Sequence, residues 1–172
     1  MNSVFLTVRT LHLVLAAIWF GATFVMAMYL GPAARDAGPS GGAVMSRMVQ
    51  RGFDKMMAIV GGTTVLSGIW LYWRLTQGFD TSLMTSHIGL MFGAGGLVGL
   101  AGGIVGGSVV GRSSKAMFEL GTRMNSMPDG PEKAAAVQTV SALRARIAFG
   151  SRLLLMLLTI AMVLMAVGRY VR

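Results

Sequence analysis

His12 and His87 are the only histidines in a chain of 172 residues that has no cysteine. Two neutral imidazoles facing each other across a helical bundle can supply both axial ligands of a b-type haem. The missing cysteines exclude disulfides, thiolate metal sites, iron–sulfur clusters and covalent haem attachment. Both histidines fall in apolar runs, where an ionisable side chain is costly and marks a functional candidate. Arg9 precedes His12 by three residues and Arg74 ends the second apolar run at the same face. Guanidinium groups there can pair with haem propionates or reach lipid phosphates. Trp19 follows His12 by seven residues, with Ala16 between them, so it shares that helix face. This spacing leaves room for a ring and a wall to stack on it, and is also ordinary core packing. The first expectation is a haem b bound by His12 and His87 with Arg9, Arg74 and Trp19 around it, serving electron transfer or haem-linked redox chemistry.

Methionine offers a different chemistry. There are 15 methionines, with Met84 and Met91 on either side of His87 and Met91 one turn along on its face. Thioethers with imidazole suit Cu(I), so copper on His87, Met91 and His12 is the alternative to haem, and apolar filling is the plain role. The acids Asp36, Asp54, Asp80, Glu119, Asp129 and Glu132 all lie outside the apolar runs, with no carboxylate pair or catalytic triad in the core. Hydrolysis and proton-driven transport are therefore not expected. Glycines at 95, 99, 103, 107 and 111 form a stripe that permits close helix approach. The stripe suits a structural subunit docking into a larger membrane complex or a homo-oligomer.

The elements that must hold these residues are four apolar spans, near residues 4–30, 56–75, 83–110 and 147–171. Hydrophobic residues make up 54% of the chain and charged ones 12%, the balance of an integral membrane protein. The first span is too long for a cleaved leader and is followed by others. The expected fold is all-α, a single transmembrane domain built as a four-helix up-down bundle. His12 then lies about two turns into the first helix and His87 about one turn into the third, at similar depth. The net charge of +9 sits beside apolar runs rather than in an aromatic-interleaved patch, so nucleic acid is not an expected partner. Arg35, Arg47, Arg51 and Lys55 fill the first connection, and Arg112, Lys115, Arg123, Lys133, Arg144 and Arg146 the third. Arg9, Arg74, Arg169 and Arg172 are left for the other side, which predicts both termini outside, in the periplasm of a bacterial inner membrane. Pro131 after Asp129-Gly130 predicts a helix start, so the third and fourth helices should extend beyond the membrane and turn at 127–130. A break is expected at 38–42, with the second helix beginning before the membrane.

The residues Leu11-His12, Trp19, Gly21, Pro32 and Arg35 resemble the first helix of CopD-like small bacterial membrane proteins. Leu66-Ser67-Gly68-Ile69-Trp70-Leu71-Tyr72-Trp73, with Gly78-Phe79, resembles their second helix. The histidine–tryptophan spacing is also similar to that of the haem-binding membrane family that oxidises protoporphyrinogen. The first resemblance implies copper movement across the inner membrane, and the second implies haem held by His12.

Overall fold

The computed structural model describes residues 3–168 and 170. Arg169, Arg172 and the expected end of the last span at Val171 lie outside the described residues. All described elements are helical, and four helices are long and apolar enough to cross a membrane. The first is a rod of 34 residues in which α1 (Ser3–Val25) passes through a π-helical stretch (Met26–Leu30) into α2 (Gly31–Asp36). Pro32 has no N–H to return to Met28, and the chain answers with a wider turn in which Gly31 N–H bonds the Met26 carbonyl. The α3 helix (Gly38–Gln50) folds back on α2, and Gly41 meets the Ala34 backbone so closely that no larger residue fits. Gly52, at φ 86°, separates α3 from α4 (Phe53–Leu75), so the second span is not continuous with the helix before it.

The turn after α4 corrects the start of the third span. Asp80 caps a separate four-residue helix, α5 (Thr81–Met84), by accepting from the Ser82 and Leu83 amides. Ser86 then caps α6 (His87–Val105) by accepting from Gly89 N–H at 3.1 Å. His87 is therefore the first residue of its helix, not one turn inside it. A second π-helical stretch, Gly106–Gly111, joins α6 to α7 (Arg112–Met124). Pro131 opens α8 (Pro131–Val167) in its first turn, as its fixed φ favours. The rods His87–Met124 and Pro131–Val167 hold 38 and 37 residues. At 1.5 Å per residue each is about 55 Å long against a hydrocarbon core of about 30 Å, so roughly half of each projects beyond the bilayer.

Packing sets α6 and α8 together as antiparallel neighbours. On α6, Gly95 faces Met165, Leu164 and the Ala161 backbone of α8, and Gly102 faces Leu154, Leu157 and Leu158. Gly106 continues this seam against Leu154, while Gly150 of α8 lies under Val109 and Val110. The working stripe is thus 95, 99, 102 and 106, spaced to follow 3.6 residues per turn, rather than the strict fours of the sequence. Gly103 belongs to another face, towards Val65 of α4 and Trp19 of α1, and a Cβ at Gly107 would meet open space. The core gathers where the helices converge, around Trp19, Val60, Leu154 and Leu158.

Candidate functional site

Inside α4 the polar side chains first satisfy their own helix. Thr64 Oγ1 donates to the Val60 carbonyl at 2.7 Å and Ser67 Oγ donates to the Thr63 carbonyl at 2.7 Å. In hydrocarbon there is no water to replace these bonds. Ser67 keeps lone pairs free, and the Thr64 carbonyl can accept a second hydrogen bond. His12 uses both: its Nδ1 lies 2.9 Å from the Thr64 carbonyl and 3.1 Å from Ser67 Oγ. A carbonyl only accepts, so Nδ1 carries the proton and donates. In the neutral ring Nε2 then keeps its lone pair. Among the described residues Nε2 has no hydrogen-bond partner. A backbone carbonyl holding the far nitrogen is the usual means of orienting a ligating imidazole.

Glycine makes the fit possible. A Cβ at Gly68 would stand 3.0 Å from His12 Cε1, and one at Gly61 would stand 3.1 Å from Trp19 Cε2. His12 and Trp19 are seven residues apart on α1, and their notches Gly68 and Gly61 are seven apart on α4 running the other way. The two large rings seat as knobs in two glycine notches, one match repeated after two turns. Trp19 is 6% exposed, and its ring edge also points towards Gly103 of α6, lying 3.7 Å from where a Cβ there would stand.

That contact sets heights on α6. Gly96, seven residues before Gly103, lies about 10 Å nearer the α6 start, the same rise that separates His12 from Trp19 on α1. Gly96 is exposed, and nothing lies within 4 Å of the place its Cβ would take. Towards the other end, Thr23 continues the α1 face; it is 3% exposed and its Oγ1 has no hydrogen-bond partner among the described residues.

The other expected site residues separate from this cluster. His87 is exposed and makes no hydrogen bond or ion pair among the described residues. It lies nine residues before Gly96, about 13 Å further along the bundle, so the structure does not bring the two histidines to one height. Arg9 is half-buried one turn before His12. The exposed Arg74 sets its guanidinium over the Trp73 ring at 5.9 Å, beside a surface hollow with Gln77 and Gly78. Met91 shares one face of α6 with His87 and packs where α8 ends at Gly168, while Met84 belongs to α5. No group of three or more His, Asp or Glu that could hold a metal occurs among the described residues.

The partners of His12 and Trp19 on α4, Gly61, Thr64, Ser67 and Gly68, form one small, polar helix face at helical spacing, but which of them meets which ring follows only from the register with α1. Comparison with family models, with curated proteins and with solved structures found no match to this chain.

Proposed function

We propose that this protein is a multi-pass membrane haem protein in which His12 alone would hold a b-type haem, through Nε2. The observation that carries the reading is the oriented imidazole, with Nδ1 donating to the Thr64 carbonyl and Nε2 without a protein partner. The exposed Gly96 supports it, because the missing side chain leaves a flat stretch of α6 with nothing within 4 Å, as a macrocycle needs. Bound haem supplies one-electron exchange between ferrous and ferric iron. The chain's own residues do the rest. Thr64 and Ser67 fix the tautomer and rotation of His12, and Trp19 closes the space towards the core. Arg9, half-buried and one turn nearer the helix start, offers charge to a propionate. The histidine–tryptophan spacing, similar to that of a haem-binding membrane family, points the same way.

The same proposal includes an up-down order with both termini outside a bacterial inner membrane. Its support is the antiparallel pairing of neighbours and the concentration of arginine and lysine at one end of the bundle. A redox partner in or beside the membrane would then meet the bundle at the end that carries Arg9.

The test is an absorption spectrum of the purified protein, oxidised and then reduced by dithionite. With one imidazole holding the haem, a high-spin spectrum is expected, lost in His12→Ala and unchanged in His87→Ala. A sharp low-spin spectrum that needs both histidines would restore the paired site. A colourless protein that retains copper, lost equally in His87→Ala and Met91→Leu, would replace haem by the copper reading. A protein that takes up neither would leave His12 as a packing residue.

A further inference from the structure

One cation stands apart from the ends of the bundle. Arg152 lies on α8 between Ser151 and Leu153, six residues beyond Arg146 and thus about 9 Å deeper along the span. Reading the connections alone passes over it, because the apolar run from 147 onward absorbs a single arginine. It is exposed. The ion pairs among the described residues are Lys115–Glu119 and Lys133–Asp129, so Arg152 has no carboxylate partner. An unpaired guanidinium at membrane depth is costly unless an anion from elsewhere neutralises it.

The surface beside it fits such an anion with a long apolar tail. Arg152, Leu155, Met156, Thr159 and Ile160 follow one another at three- and four-residue steps along one face of α8. With Met28 of the first π-helical stretch they line an open groove of about 350 Å³. From Arg152 to Ile160 the groove runs about 12 Å towards the middle of the bilayer. Its one hydroxyl, Thr159 Oγ1, is already donated to the Leu155 carbonyl at 2.8 Å, so the wall beyond the arginine is apolar to an incoming chain.

We propose that this groove is a binding site for one anionic phospholipid. The phosphate is held by the planar fork of Arg152 and one acyl chain lies along Leu155, Met156, Thr159 and Ile160. Charge selects the headgroup. Arg144 and Arg146 are exposed on the same helix towards the headgroup layer, so a lipid with net negative charge is favoured over a zwitterionic one.

Native mass spectrometry of the full chain, released from a neutral maltoside detergent with added phosphatidylglycerol or phosphatidylcholine, tests the site. One phosphatidylglycerol should remain bound under conditions that strip phosphatidylcholine. Arg152→Gln should weaken this binding about tenfold, whereas Arg146→Gln should leave most of it. Thr159→Phe fills the groove and keeps the charge, so it should also release the lipid; it carries the test if Arg152→Gln fails to fold by circular dichroism. Unchanged binding in either groove variant overturns the proposal. So does displacement of the lipid by millimolar inorganic phosphate, which would make Arg152 a simple anion site with no tail groove.

Discussion

Two antiparallel seams hold the bundle, and they use opposite means. The α6/α8 seam sets glycine against leucine: Gly95, Gly99, Gly102 and Gly106 let the backbones approach, and no side-chain hydrogen bond crosses it among the described residues. The α1/α4 seam seats two aromatic rings in glycine notches and ties one of them by hydrogen bonds to Thr64 and Ser67. Lipid tails are as apolar as leucine, so neither seam gains from the hydrophobic effect as a soluble core would, and both depend on close contact and polar pairing. The difference teaches where chemistry can sit. A glycine–leucine seam fixes distance and offers no reactive group. The ring-in-notch seam aims an imidazole.

The comparison breaks most visibly at Gly95. A leucine there drives its Cβ against Met165 Cγ, which lies at 3.0 Å, and against the Ala161 carbonyl at 3.3 Å, part of the backbone and unable to step aside. Gly95→Leu should part α6 from α8, and size-exclusion chromatography in detergent should show loss of the monodisperse folded species. Trp19→Ala empties the other seam. The lost transfer free energy is small in hydrocarbon, but the cavity remains, and a loss of about 3 kcal/mol is expected in reversible unfolding. If Trp19→Ala cost more than Gly95→Leu, the rings and not the glycines would be the main support. Ser67→Ala removes only the weaker of the two His12 contacts. It should cost about 0.6 kcal/mol, the usual size of a hydrogen bond between membrane helices, and broaden any haem spectrum without abolishing it.

The smallest effect belongs to the connection between the seams. The Asp80 carboxyl is held below the usual carboxylate range chiefly by the Ser82 hydroxyl, and also by the Leu83 and Ser82 amides. A depressed pKa means that the cap contributes above the ordinary value of 3.8 and fades only as pH falls below it. Protection of residues 81–85 from hydrogen exchange, relative to the unstructured rate at each pH, should therefore be flat across neutral pH and fall in strong acid, with Asp80→Ala less protected at neutral pH and converging with the wild type in acid. Neither seam should respond.

Much of the fold was legible because the bilayer imposes it: a run of about 20 apolar residues has few alternatives. Pro131 also marked the start of α8. The start of α6 is hidden in the sequence because Leu83 and Met84 extend the apolar run, while the boundary is set by two small caps, Asp80 and Ser86. Hydropathy averages over such residues. Of the site, His12 and Trp19 were visible by type and spacing. The partners that orient them were not, since Thr64, Ser67, Gly61 and Gly68 are individually unremarkable and gain meaning only from the register with α1. The shared depth of His12 and His87 depended on the position of one helix start, and fell with it.

The π-helical stretch at Gly106–Gly111 bears on more than local geometry. Each residue turns an α-helix by about 100°, so accommodating one residue more than an α-helical turn rotates everything beyond it by about that angle. The wheel that describes α6 therefore does not describe α7, although the two form one unbroken rod. The membrane half keeps its small residues towards α8, and the projecting half is re-phased so that Ser113 is buried while Lys115 and Glu119 meet solvent. Removing a single residue from the stretch would leave the rod nearly as long, but would swing the outer half about a quarter-turn from α8.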